Sequence, residues 1–247
     1  MFFKEVGGNH LKKYMILALF ICVIIAVSGC TLNGWGSGNV INETKNVKGV
    51  KQVSLEGFGN IVLQQGNQES LRIEAEDNIM PHIQSKVDGD KLTITYDTNT
   101  PTPTKDVTYY LTVKDLNSIS ISGAGKIQSN NFKTNTLDII LTGAGEGNLN
   151  GLNVKKLTVN MSGAGKLILS GKATEQTVTI SGAGDYQARE LESKTATITI
   201  GGAGSSIVNV TDLLNAVISG VGDIEYTGNP KVNKQISGTG NIQKITS

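Results

Sequence analysis

From residue 117 onward the chain alternates apolar and polar positions with a period of two. Lys156-Leu157-Thr158-Val159-Asn160-Met161 and Thr195-Ala196-Thr197-Ile198-Thr199-Ile200 carry the pattern, and Thr, Ile and Val dominate it. These residue types on this period predict half-buried β-strands, and no 3.6-residue periodicity competes with them. Gly-x-Gly interrupts the strands at regular intervals. The first glycines are Gly123, Gly143, Gly163, Gly182, Gly202, Gly220 and Gly238, spaced by 20, 20, 19, 20, 18 and 18 residues, with an earlier copy at Gly57. Each repeat reads as strand, Gly-x-Gly corner, second strand and short turn. A unit of this size cannot bury its own apolar face, whereas stacked units bury a continuous core. Glycine at a corner supplies positive φ or close backbone approach. The pattern predicts an all-β fold, a β-solenoid with successive coils about 4.8 Å apart. The residue between the glycines, usually Ala, is expected to stack on its equivalents. The preceding Ser or Thr is expected to form a hydroxyl ladder.

Residues 47–116 are less regular. Alternation at Ser70–Glu76, Lys91–Tyr96 and residues 107–113 predicts strands. Residues 77–80, before Pro81, predict a short helical turn, and residues 101–106, with two prolines, a loop. This part reads as larger, irregular first coils or as a small β subdomain on the solenoid end. Its motifs resemble a known family. The Gly57-Phe58-Gly59-Asn60-Ile61 corner, Arg72-Ile73-Glu74-Ala75-Glu76-Asp77, the strand pair around Val87-Asp88-Gly89-Asp90-Lys91-Leu92-Thr93-Ile94 and the Ser-Gly-Ala-Gly repeats together resemble the "Putative auto-transporter adhesin, head GIN domain" family. The resemblance covers about residues 47–247. It implies a right-handed parallel β-helix in an exported or envelope protein, and it brings no catalytic residues with it.

The N-terminus reads as a targeting segment. Lys12 and Lys13 precede an apolar run over residues 14–27. That run is too short for a spanning helix of roughly 20 residues and fits a signal-peptide core of about 7–15. Val27-Ser28-Gly29-Cys30 resembles the lipobox of prokaryotic lipoproteins. The resemblance implies cleavage after Gly29 and a diacylglyceryl thioether on Cys30, which anchors the protein to a membrane. After Cys30, residues 31–46, rich in Gly, Asn, Ser and Thr, then read as a flexible tether. Sixteen such residues span roughly 20–25 Å, and Trp35 within them is a candidate for the lipid interface. The organisation expected is a signal peptide over residues 1–29, a tether over 30–46, irregular β coils over 47–116 and regular repeats over 117–247.

Composition narrows the function. The whole chain carries 22 basic and 21 acidic residues, and removing residues 1–29 leaves 19 against 20. Near-neutrality argues against nucleic acid, which needs a basic face. The other cysteine, Cys22, leaves with the signal, so the exported chain has no disulfide. The glycine corners are flanked by strands rather than a helix N-terminus, which excludes a phosphate loop. Calcium-binding β-rolls repeat an aspartate at a fixed offset. Here the residue after the second glycine is Asn60, Lys126, Glu146, Lys166, Asp185, Ser205, Asp223 or Asn241, a mixed column that reads as solvent-facing. A polysaccharide-acting enzyme needs two facing carboxylates, and Asp185 and Asp223 are two corners apart. His82 is the only histidine after the signal and reads as an ordinary surface or half-buried residue. No catalytic, cofactor or metal residues are assigned.

Carbohydrate binding draws on exposed aromatics. Tyr109 and Tyr110 are neighbours on one predicted strand, so one of them faces outward and the pair is the candidate ligand site. The expected function is a non-catalytic cell-envelope lipoprotein whose adhesin-like solenoid binds a polysaccharide, the cell wall or an envelope protein. The alternative is a structural, self-associating scaffold that forms homo-oligomers through open strand edges. An enzyme on an envelope polysaccharide ranks third.

Overall fold

The computed structural model describes residues 34–246, so the signal-like segment and Cys30 lie outside the described residues. Residues 35–246 belong to one compact unit. The chain runs through β1 (Val40–Lys45), β2 (Gln52–Glu56), β3 (Phe58–Gln65) and β4 (Ser70–Glu76). A 3-10 turn at Met80–His82 leads into a hairpin of β5 (Ile83–Asp88) and β6 (Lys91–Tyr96). β7 (Thr108–Val113), β8 (Ser118–Ile121), β9 (Ala124–Asn130) and β10 (Lys133–Leu141) follow. Four long bent strands come next, β11 (Glu146–Met161), β12 (Lys166–Ile180), β13 (Asp185–Ile200) and β14 (Ala203–Ile218). β15 (Val221–Gly228), β16 (Lys231–Ile236) and β17 (Ile242–Lys244) complete the described chain.

The architecture is a β-solenoid. Each coil gives one strand before its Gly-x-Gly corner and one after it, and the coils stack in parallel into two layers. In the layer before the corner, Ile119, Ile139, Val159, Val178, Ile198 and Ala216 share one buried register column. In the layer after it, Ile127, Gly147, Leu167, Tyr186, Ser206 and Ile224 share another. Large residues sit beside small ones there. Leu167 Cδ1 fills the space 2.3 Å from where a Cβ on Gly147 would stand, and Tyr186 lies beside Ser206. The buried Tyr186 hydroxyl donates to Gln176 Oε1 at 2.8 Å, Gln176 Nε2 to Ser193 Oγ at 2.6 Å, and Ser193 Oγ to the Asn209 carbonyl at 2.9 Å. The chain ends on a backbone acceptor, so no member of it is left unpaired.

At the corners the first glycine is required by proximity, not by φ. From Gly123 to Gly238 none of the first glycines has a left-handed φ. A Cβ on Gly143, Gly163, Gly182, Gly202 or Gly220 would stand 2.0–2.3 Å from the carbonyl oxygen of the equivalent glycine one coil earlier. The central residues Ala124, Ala144, Ala164, Ala183 and Ala203 form an exposed ridge. The hydroxyls before the corner do not form a ladder. It is the backbone that links the coils there, as in Ser162 N to the Leu141 carbonyl at 3.0 Å and Ser181 N to the Met161 carbonyl at 2.9 Å.

The first coils are stacked out of chain order. β2 lies between β6 and β8, and β3 between β7 and β9, all parallel. Both layers run unbroken across residue 116, so that boundary marks a change in regularity rather than a domain break. Antiparallel strands close this end: β5 covers β6, while β4 covers β7 and β1 covers β4. The helical turn falls at Met80–His82, slightly later than expected, because Pro81 is tolerated in a first helical turn.

The expected tether is largely a clamped segment. Residues 40–45 form β1, and residues 35–39 wrap the cap. Gly38 N donates to Glu76 Oε1 at 2.6 Å, Ser37 N to Asn78 Oδ1 at 2.8 Å, and Asn39 Nδ2 to Asp77 Oδ2 at 2.8 Å. Asn78 Nδ2 donates to the Trp35 carbonyl at 2.9 Å. Glu76 is fully buried and also accepts Thr104 N at 2.8 Å and Thr104 Oγ1 at 2.5 Å. A polar composition favours a flexible chain only when no partner takes its donors, and Glu76, Asp77 and Asn78 take them here.

Two predictions follow from this architecture. Gly163→Ala places a Cβ 2.0 Å from the Gly143 carbonyl oxygen, whereas Gly145→Ala meets nothing nearer than Leu141 Cδ2 at 3.3 Å. Urea unfolding is expected to show a loss of about 3 kcal/mol or more for the first and under about 1 kcal/mol for the second. The second prediction concerns acid. Desolvation pushes the Glu76 carboxyl up, but donors from Thr104, Gly38 and Lys105 outweigh it and hold the group below its ordinary 4.5. Ser37 and Asn39 likewise hold Asp77 below 3.8. A depressed folded value adds stability above the unfolded value and loses it as pH falls through the folded one. Thermal stability is expected to be flat above about pH 5 and to fall below it. Glu76→Gln should lower stability at neutral pH and flatten the acid decline.

Candidate functional site

A solenoid presents its chemistry on the outward halves of its alternating strands, so the candidate site is a choice between faces. On the layer after the corner, the column read as mixed is an outward row of matched charges. Lys126 Nζ pairs with Glu146 Oε2 at 3.0 Å and Lys166 Nζ with Asp185 Oδ2 at 3.5 Å. Asp185 also accepts Ser205 Oγ at 2.9 Å and Gln187 Nε2 at 2.8 Å. Asp223 accepts Asn241 N at 2.8 Å. Register puts Ser205 between Asp185 and Asp223, so these carboxylates sit in one column and do not face each other. Further along, Asn150 Nδ2 donates to Asn130 Oδ1 at 3.4 Å and Ser170 Oγ to Asn150 Oδ1 at 3.3 Å. This face spends most of its charged groups on itself, and among the described residues Gln128 and Asn148 are the outward polar residues between them that have no partner in the protein.

The tyrosine pair divides. Tyr109 is fully buried, and its hydroxyl meets that of Tyr96, which donates to the Phe58 carbonyl at 2.8 Å. Desolvation pushes both phenols above their ordinary 10. Tyr109 therefore cannot meet a ligand, a correction to the pair expected from sequence. Its parity with Val107, Leu111 and Val113, all buried, was the available signal. Tyr110 faces outward but is occupied. The Arg72 guanidinium lies 3.8 Å over its ring, and its hydroxyl donates to Glu74 Oε2 at 2.9 Å. Arg72 also pairs with Glu74 and donates to Asn42 Oδ1 at 2.9 Å. The hydrogen bond from Arg72, with that from Tyr110 behind it, holds the Glu74 carboxyl below its usual range against desolvation. His82 is half-buried, with Nδ1 2.9 Å from both oxygens of Asp97.

The layer before the corner differs. Its outward positions fall into registered rows, Thr158–Thr177–Thr197 and Asn160–Thr179–Thr199. Ser118 and Ser120 extend the rows across β8, beside Asp138 and Ile140 of β10. Rows on adjacent coils are about 4.8 Å apart, and successive outward residues on one strand about 6.6 Å apart. Among the described residues, the side chains of Thr158, Asn160, Thr177, Thr179, Thr197 and Thr199 have no hydrogen-bond or ionic partner in the protein. The result is a regular array of five free hydroxyls and one free amide; these two rows carry no charge on β11–β13, and Lys156 and Glu175 stand in the row beside them. Alternation in the sequence marked these residues as outward, but only the structure distinguishes a free face from a self-bonded one.

Parallel coils in two layers, joined through Gly-x-Gly corners, define a β-solenoid. The chain belongs to the "Putative auto-transporter adhesin, head GIN domain" family, whose model matches residues 50–230. Among solved structures, it is similar to a "putative adhesin" from Bacteroides fragilis at 28% identity, covering 85% of this chain and 99% of that one, with a TM-score of 0.81. A "putative lipid binding protein" from Parabacteroides distasonis shares the fold at 20% identity, over 86% and 99% of the chains, with a TM-score of 0.70. A "putative adhesin" from Parabacteroides merdae does so at 19% identity, over 86% and 98%, with a TM-score of 0.63. No curated protein matches the chain.

The two tyrosines should separate by stability. Tyr109→Ala is expected to cost about 3–5 kcal/mol, as for a fully buried aromatic. Tyr110→Ala, which removes a surface cation–π contact and one hydrogen bond, is expected to cost about 1 kcal/mol. Chemical denaturation of both variants checks this.

Proposed function

We propose that this protein is a non-catalytic, adhesin-like module held at the cell envelope by a lipid on Cys30, and that it binds glycan across the layer before the corner. The free-hydroxyl array carries the reading. Each hydroxyl there is both donor and acceptor, and so is each hydroxyl of a polysaccharide. Regular spacing suits an extended polymer rather than a small solute. Single contacts of this kind are weak, and repetition over several coils multiplies them. The adhesin family and its relatives support a cell-surface or envelope setting. The non-catalytic reading is supported by the engagement of Glu146, Asp185 and Asp223 in pairs with Lys126, Lys166 and Asn241.

The test is binding of the full chain to immobilised envelope polysaccharides. Replacing Thr177, Thr179, Thr197 and Thr199 together by Val keeps shape and β-branching but removes the hydroxyls. At about 0.5–1.5 kcal/mol per hydrogen bond, affinity is expected to fall at least about tenfold. Tyr110→Ala should bind as the unaltered protein does. Undiminished binding by the four-valine variant would refute the assignment to this face.

A further inference from the structure

The clamped segment has a consequence for how the body meets the membrane. Four residues, 31–34, separate Cys30 from Trp35. Five extended steps span at most about 18 Å, and Trp35 is fixed to the cap through its carbonyl, through Gly36 N to the Thr102 carbonyl at 2.9 Å and through the contacts of Ser37–Asn39. The 16-residue stand-off that composition implies is therefore not there. If Cys30 carries its lipid, the cap is drawn to the bilayer surface.

The cap exposes large apolar side chains there, set among polar ones such as Asn42, Lys86 and Asp88. Trp35 is 68% exposed, Val40 45%, Ile41 38% and Val87 36%. These are four of the seven exposed large hydrophobic side chains among the described residues, and all four lie on the segments that close this one end of the solenoid. Val40 and Ile41 sit on β1, the outermost strand of one layer, and Val87 on β5, the outermost of the other. Edge strands normally carry charge to block further pairing, and β1 does so only in its second half, at Glu43 and Lys45. Indole side chains favour the headgroup region, where an apolar ring and an N–H donor are both accommodated.

We infer that the capped end is a membrane-contact surface, with Trp35 seated in the lipid headgroup region and with Val40, Ile41 and Val87 exposed on the strands that close the same end. The occupant is a phospholipid surface, and the inference rests on the lipid-anchor part of the proposed function. The lipid holds the protein to the membrane, while the cap fixes its attitude. The solenoid end with the capping strands faces the bilayer, and the repeats extend away from it.

Trp35 is the single tryptophan of the chain, so its fluorescence reports on this surface alone. The full chain, purified with its modification from membranes, would be reconstituted into phosphatidylcholine–phosphatidylglycerol vesicles. Mass spectrometry and vesicle flotation establish first whether Cys30 is lipidated and the protein attached. The expected result is a blue-shifted Trp35 emission relative to the detergent-free apo-lipid variant Cys30→Ser, quenching by shallowly brominated phospholipids, and loss of acrylamide quenching. Attached, lipidated protein whose emission stays water-like and fully open to acrylamide would overturn the inference and leave the anchor standing. Protein with an unmodified Cys30 that does not float with vesicles would overturn both. Because the reporter is the native residue, no outcome depends on a variant of the cap folding.

Discussion

Everything in this molecule depends on how closely one coil can lie on the next at its corner. The carbonyl of each first glycine sits where the Cβ of its successor would be, at about 2 Å. The approach leaves no room for a side chain, so the corner is written in glycine from Gly123 to Gly238. Once the corners nest, the strands on either side fall into register. The inward residues then meet their equivalents, and the outward residues form straight rows. The core, the faces and the spacing of the hydroxyl array all follow from that one distance.

Much of this could be read from the chain. The period-two alternation around Val159, Val178 and Ile198 assigned their inward positions, and the Gly-x-Gly spacing gave the coil length. Other features could not be read, for a physical reason. The insertion of β2–β3 between β6–β7 and β8–β9 is a long-range arrangement with no local signature. The ordering of residues 35–39 depends on carboxylates and amides about 40 positions away, Glu76, Asp77 and Asn78. Composition describes what a segment would do alone, and these residues are not alone. Tyr109 is a different case, because its parity with Leu111 was present in the sequence and outweighed by its chemistry.

The two outward faces show why residue type is a poor guide to a binding surface. Both are polar and regular. On one, Lys126, Glu146, Lys166 and Asp185 satisfy each other, so a ligand would first have to break existing pairs. On the other, Thr177, Thr179, Thr197 and Thr199 have no partner among the described residues of the protein, so a ligand would have no existing pair to break. The candidate tyrosine makes the same point, because Tyr110 is outward and aromatic yet already engaged by Arg72 and Glu74.

The clamp at Glu76 also has a mechanical meaning. A pull applied upstream of residue 34 and resisted by a ligand held on the coils must pass through residues 35–45 before it reaches any repeat. It meets the Glu76 cluster first and then the β1–β4 ladder, which is six residue pairs long. The chain runs on from β1 into β2, inside the stack, so peeling this junction would release residues 35–45 as slack before the load reached a coil. The cap is thus placed as an extensible leader ahead of the repeats.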